Sequence, residues 1–351
     1  MALSGVFVGL VREVLGLGSS VEGYLGELEA LEVEGFEWVR VDPSVGVTIV
    51  GVDSGWGYEV FRELIVYGIQ GSAVSVWGDG SRAEVEAGAR AGFTNLIELS
   101  RVKSKRGIIR WFESSQLVRE AQTLEVELAV KLAGKVDAGI VLFDGSYPSF
   151  VIPIHVKYPV AMGELVARAY NLWVERTSLL RELLESGVTV AFISKTSTRS
   201  LLTEIGCVRV AYHGEEVKLP DFIVVRRALT EKEYRGPGFT WCSKPHAIVE
   251  EEVGKQGLPT TYTVTFTILD ERTRTPYKLT IPGALNIDEV AEIVSSIARI
   301  SPGGYPQVLH EAHQLSKLRK SDFKKLVTPI TLRLETGREP LEQTLKPPRL
   351  S

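Results

Sequence analysis

The sequence predicts an α/β protein built on a mixed sheet flanked by helices, and three features point to it. Val47-Thr48-Ile49-Val50-Gly51-Val52-Asp53-Ser54-Gly55 is an apolar, β-branched run that stops at an acid, as a buried strand does. A second run of this kind, Ala138-Gly139-Ile140-Val141-Leu142-Phe143-Asp144-Gly145-Ser146, lies far downstream. A β-rich stretch and then a helical one separate the two. The carboxyl ends of such strands present functional groups, and two acid-tipped strands side by side bring their acids together.

In chain order, Leu3, Phe7, Leu10 and Val14 have helical spacing, which predicts an amphipathic helix packed on its own core. Arg12-Glu13 breaks the apolar run, so neither a signal peptide nor a membrane span is expected. A Glu-rich helical stretch near Val21–Val33 and a link through Pro43 complete a helical lead-in over residues 1–45. Tyr58–Val76, rich in Val, Ile, Tyr and Phe and broken at Gly68–Gly71, predicts two more strands in a meander. An acid-tipped strand that opens a three-strand meander is the start of a ribonuclease H-like sheet.

Further along, Arg101, Lys103, Lys105, Arg106 and Arg110 cluster beside Trp111. Basic side chains track phosphates and an aromatic ring stacks on a base, so this segment suits single-strand contact as well as it suits a solvated polar loop. Leu117–Leu132 reads as a helix carrying Glu120, Glu125 and Glu127, and Glu164–Glu185 as a packing helix. Val188–Ile193 reads as a strand followed by Ser194-Lys195, which puts a lysine where it can meet a phosphate or simply face solvent. Thr261–Leu269 and Tyr277–Ile281 form a predicted hairpin, and Asn286–Ile300 a helix. A last helix begins near Pro306 and runs through His310, His313 and Lys317. The main domain therefore spans 46–335, with hairpin and helix additions at its C-terminal end, and a proline-containing flexible tail spans 336–351.

The 351 residues are 44% hydrophobic and 24% charged, with a net charge of -4. That balance fits a globular protein of the cytoplasm and excludes one that coats nucleic acid through bulk charge. Cys207 and Cys242, the two cysteines, suit a reducing compartment and offer no zinc-ligand set, and a single disulfide between them stays open.

Phosphodiester hydrolysis needs an activated water and charge neutralisation at the leaving oxygen, which two metal ions supply. Manganese or magnesium takes carboxylate oxygens, so acids from different elements must meet. Asp53, a helix glutamate and Asp144 meet that need. A lone Asp-Ser-Gly is more often a turn, but two acids ending similar strands make a stronger pattern. Tyr305 and His313, eight residues apart, share a face if the helix begins at Tyr305. His310 and His313 lack a third ligand for zinc.

Gly-Val-Asp-Ser-Gly, a helix glutamate, Val-Leu-Phe-Asp-Gly-Ser, Ile-Ser-Lys and a final Gly-Tyr-Pro-x-x-Leu-x-x-Ala-His together resemble the NurA family of nucleases from about Val47 to Lys320. The resemblance implies a ribonuclease H-like core and a homodimer. It implies manganese-dependent 5'-3' DNA degradation, with endonuclease action on single strands, in end resection and break repair beside a HerA-type hexameric translocase, in association with the nucleoid. It further implies that Asp53 and Asp144 bind metal, that Tyr305 and His313 are an active-site pair, and that Lys195 neighbours a phosphate. Glu125 is the glutamate chosen to complete a two-ion site, with Glu127 and Glu120 competing on the same helix. Gly303-Gly304 would offer free amides to a phosphate.

Two rival readings are an actin-like or sugar-kinase-like ATPase and a catalytically silent DNA-binding adaptor of a motor. The first needs two duplicated halves, for which the chain has little room. The second leaves the acids and the Tyr-His pair without a use.

Overall fold

A computed structural model describes residues 30–333, except 45, 62–63, 78–80, 97–98, 100–108, 110–111, 154–162 and 196–197. The expected helix at Met1–Leu15, the tail at 336–351 and the proposed single-strand contacts Lys105, Arg106 and Trp111 fall outside the described residues.

The first strands are β1 (Leu31–Glu34), β2 (Glu37–Arg40), β3 (Ile49–Val60), β4 (Leu64–Val76) and β5 (Arg82–Asn95). A π-turn at Glu113–Leu117 leads into α1 (Val118–Val136), followed by β6 (Ile140–Asp144), α2 (Tyr147–Val151), α3 (Gly163–Glu185) and β7 (Thr189–Ser194). Next come α4 (Leu201–Glu204), β8 (Arg209–Tyr212), β9 (Glu215–Glu216), α5 (Asp221–Glu231), β10 (Gly238–Trp241), β11 (His246–Ala247) and α6 (Glu251–Lys255). The described chain closes with β12 (Thr261–Ile268), β13 (Tyr277–Pro282), α7 (Ile287–Arg299), α8 (Gln307–Ser316) and α9 (Lys320–Arg333).

One ten-stranded sheet dominates, in the order β2-β10-β12-β13-β7-β6-β3-β4-β5, with β11 beside β12. Within it, β3, β4 and β5 form an antiparallel meander, while β6 pairs parallel to β3 and β7 parallel to β6. This is the ribonuclease H-like order that the sequence predicts, extended past β7 by the antiparallel hairpin β12–β13. Among the described residues there are no duplicated halves of the kind an actin-like ATPase requires.

Alternation along the strands sorts the core into two layers. Val50, Val52, Val141, Phe143, Val190 and Phe192 pack beneath Leu124, Leu128 and Leu132 of α1 and Leu180 of α3. Ile49, Ile140, Leu142 and Ile193 face the other way, onto Val290, Val294 and Ile297 of α7 and Val308 of α8. Asn286 caps α7 by accepting from the Asp288 and Glu289 amides, which satisfies donors the helix cannot pair internally.

Three expectations need correction. The helix read near Val21–Val33 does not extend to its end, because Leu31–Glu34 is a strand paired antiparallel with β8. Strand β4 also runs unbroken through Gly68–Gly71, so Tyr58–Val76 holds one further strand and the end of β3, which runs on past Asp53 to Val60. The third strand of the meander is β5, which the sequence reading missed. Those glycines leave room for side chains above, since a Cβ at Gly71 would lie 2.9 Å from Leu128 and one at Gly68 2.9 Å from Phe323. The helix expected from Pro306 starts at Gln307 and stops at Ser316, so Tyr305 precedes it and Lys317 only caps it, and it is not the last, since α9 follows.

Cys207 and Cys242 are joined in a disulfide with Cα atoms 5.8 Å apart, the pairing that the count of two left open. Among the described residues no helix is long and apolar enough to cross a membrane.

Candidate active site

Asp53 lies within β3, and Asp144 is the last residue of the neighbouring parallel strand β6. Helix α8 lies across the same face, and glycine makes its approach feasible. A Cβ at Gly51 would lie 2.6 Å from the Val308 side chain, and one at Gly55 would lie 2.5 Å from the backbone oxygen of Ser316. Two hydrogen bonds fasten the helix to the meander, from Ser72 Oγ to the Ala312 carbonyl at 2.8 Å and from Gln70 Nε2 to the Leu315 carbonyl at 2.9 Å. Gly55→Ala is expected to lower stability by about 1–3 kcal/mol through overpacking against helix backbone. It should also loosen α8, and denaturant unfolding measured beside nuclease rate checks both effects.

With α8 in place, His313 Nδ1 lies 2.6 Å from Asp53 Oδ2, and Ser316 Oγ donates to the same oxygen at 3.5 Å. Tyr305 OH donates to Asp144 Oδ2 at 3.4 Å, and Lys195 Nζ reaches that oxygen at 3.4 Å. The ammonium also sits 4.4 Å from the centroid of the Tyr305 ring, within cation–π range. Tyr305 and His313 thus serve one acid each and do not form a pair on one helix face.

Glu125 comes from α1. It is buried, and Ser54, next to Asp53 in β3, donates a short hydrogen bond to its carboxylate. Its two rivals are engaged elsewhere: Glu120 accepts from Tyr67 OH at 2.9 Å and pairs with Arg168 at 3.6 Å. Glu127 pairs with Arg90 at 2.9 Å and with Lys131 at 3.4 Å. The charges of Asp53 and Asp144 bear on Glu125.

The electrostatics show crowded negative charge. Burial pushes the Asp53 carboxyl up; the His313 contact pulls it back and the Asp144 charge raises it again. Burial lifts Glu125 to about 8, with the Ser54 hydrogen bond opposing and the Asp53 and Asp144 charges adding to the rise. The Tyr305 hydroxyl is raised by burial and by the same two aspartates. Such a set of hard oxygen donors suits a small divalent cation. As they stand, no three His, Cys, Asp or Glu side chains among the described residues converge on one point. Glu125 is held by Ser54 and Asp53 by His313, so binding an ion requires these side chains to reorient.

The Gly303 and Gly304 amides are not open to a phosphate, because Gly303 N donates to Asp270 Oδ2 at 2.9 Å and Gly304 N to the Ser301 carbonyl at 2.8 Å. His310 is exposed and lies outside these contacts.

A family model for the NurA domain matches residues 47–318. The chain belongs to the NurA domain family. The NurA nuclease from Sulfolobus solfataricus has the same fold, with a TM-score of 0.62 at 18% identity over 95% of this chain and 98% of that one. A NurA structure with manganese gives 0.60 at 13% identity, covering 91% and 98% of the two chains. One bound to dAMP and manganese gives 0.56 at 12% identity, covering 90% and 94%. Among curated proteins none matches. In this NurA chain the sequence reading missed Ser54, Ser316, Gly51 and Gly55. A serine beside a strand-end aspartate was the one available sign of Ser54, and glycines four apart on one strand face the sign of a helix crossing.

Proposed function

We propose that this NurA-family nuclease hydrolyses DNA with divalent metal, and that Asp53, Glu125 and Asp144 hold the metal. The observation that carries the reading is the meeting of Asp53, within β3, and Asp144, at the end of β6, with Lys195, Tyr305 and His313 on a ribonuclease H-like sheet. The manganese and dAMP found in structures of the same fold support the choice of ion and substrate.

Ions held there, two in the full reading, with manganese preferred and magnesium as alternative, supply charge neutralisation and an acidified water. The protein's own groups do the rest. Lys195 brings a cation beside Asp144, where a phosphate oxygen gains a point-charge partner. Tyr305 keeps its proton across the working pH range and so acts as a hydrogen-bond donor, aligning Asp144 or the phosphate. His313 orients Asp53 and offers a titratable group to the leaving side.

The finer reading follows the family resemblance: 5'-3' exonuclease action with single-strand endonuclease activity, a homodimer, and work beside a HerA-type translocase in end resection and break repair. Single-stranded DNA labelled at the 5' or 3' end should be degraded in manganese and left intact in chelator. With a terminal 5' label, release of labelled mononucleotide as the first product gives the polarity. Absence of cutting under every metal, with or without a translocase, would favour the adaptor reading.

A further inference from the structure

A cavity of about 360 Å³ opens on the α1 face of the sheet, opposite α8, lined by Arg119, Arg199, Lys278, Ser146, Ser149 and Thr280. Its place follows from the topology. Ser146 lies two residues past Asp144, Arg199 follows β7, and Lys278 lies near the start of β13, which runs antiparallel to β7. All three therefore sit at the sheet end that carries Asp144. Asp144 meets Tyr305 on the α8 side, while Arg119 belongs to α1 on the opposite face.

The charge in this cavity is unusual. Arg119 Nε and Nη1 are buried with no hydrogen-bond partner among the described residues. Burial alone holds its guanidinium down, at about 10. Behind it Arg176 is fully buried, with Nε and Nη2 likewise unpartnered, and the Arg119 charge bears on it. Gln122 takes only Arg176 Nη1, at 3.0 Å. Lys278 is also buried, and the Asp221 charge bears on it. The Glu125 charge offsets part of the cost at Arg176, but no carboxylate among the described residues bears on Arg119. Burying a guanidinium without an anion costs several kcal/mol, and the cost falls when an anion with several acceptor oxygens enters. A phosphate matches Arg donors in charge and geometry, and the volume admits a phosphate with its sugar. The Ser146 and Ser149 hydroxyls, now bonded within their own turn at 3.2 and 2.6 Å, line the same space.

We infer that this cavity is a second phosphate site, which holds a phosphate of the DNA strand while a neighbouring linkage lies at the acids. The inference rests on the nuclease reading for its substrate. The phosphate has two sources, the strand's 5' terminus or its internal backbone.

The test compares one short single-stranded oligonucleotide in 5'-phosphorylated and 5'-hydroxyl forms, using wild type, Arg119→Gln and Arg199→Gln. Binding is measured by calorimetry in chelator and cutting in manganese. For a terminal phosphate, wild type should bind the phosphorylated form about tenfold tighter, which is about 1.4 kcal/mol, and both substitutions should bring the ratio close to one. For a backbone phosphate, both forms should weaken equally in the variants, and the salt dependence of binding should become shallower by about one phosphate contact. Unchanged affinities and salt slopes in folded variants would overturn the inference. Arg199 is exposed, so its variant stays informative if Arg119→Gln fails to fold. Because binding is read without metal, absence of cutting would count against the nuclease reading and leave the test of the cavity intact.

Discussion

Asp144→Asn is expected to cut nuclease activity by roughly 10³-fold or more, and Asp53→Asn by a similar factor, because each removes charge stabilisation worth several kcal/mol at the phosphate. The two losses have different local consequences. At Asp144 the neutral amide forfeits its attraction to Lys195 and Tyr305, which now share one oxygen. At Asp53 it forfeits the partner that orients His313. Both aspartates are partly accessible, so the variants should fold, and far-ultraviolet circular dichroism checks this. Calorimetry with manganese separates the causes: weakened ion binding supports the assignment as ligands, and full-affinity binding with lost activity would remove them from that role.

The second large effect has opposite signs for stability and activity. Glu125→Gln should stabilise the protein in chelator and abolish cutting in manganese. The folded-state pKa of Glu125 is raised to about 8 from an ordinary 4.5, so the folded protein binds that proton more tightly than the unfolded chain does. The favourable contribution is fully present below pH 4.5 and is lost as pH rises through about 8. Glutamine carries no proton to lose. Its advantage should therefore be near zero at pH 4.5, grow across that window and level off above pH 8, at roughly a few kcal/mol. Thermal melts at pH 5 and pH 8 read this out, and an identical melting difference at both would refute it. Saturating manganese should shrink the difference, since a bound cation stabilises the wild-type carboxylate.

The centre of this fold was legible because its signals are local. A β-branched run ending in Asp is read directly from Ile49–Asp53 and from Ile140–Asp144, and the order strand, meander, helix, strand fixes which strands are neighbours. The helices at Val118–Val136 and Ile287–Arg299 follow from the spacing of their apolar residues. Residues 201–255 gave no such reading. Their strands are two or four residues long, too short for alternation to register, and tertiary pairing sets them. The choice among Glu120, Glu125 and Glu127 was also closed to sequence, because it depends on helix rotation relative to β3. The glycine amides at 303 and 304 misled for a related reason. Their partner, Asp270, lies 33 residues away, beyond what local pattern can show. Nothing local marks Arg119 and Arg199 as neighbours either.

The join between α8 and β3 ties the two ends of the catalytic machinery across great chain lengths. Asp53 and His313 are 260 residues apart, and Asp144 and Tyr305 are 161 apart. During synthesis the acids leave the ribosome long before their partners do. A nascent chain can assemble the meander and β6 from nearby segments, but its centre stays open until residue 313 has emerged and α8 settles onto Gly51 and Gly55. Loop-closure entropy makes that docking a late event. A polypeptide cut short before α8 would carry every acid and lack His313, the partner of Asp53.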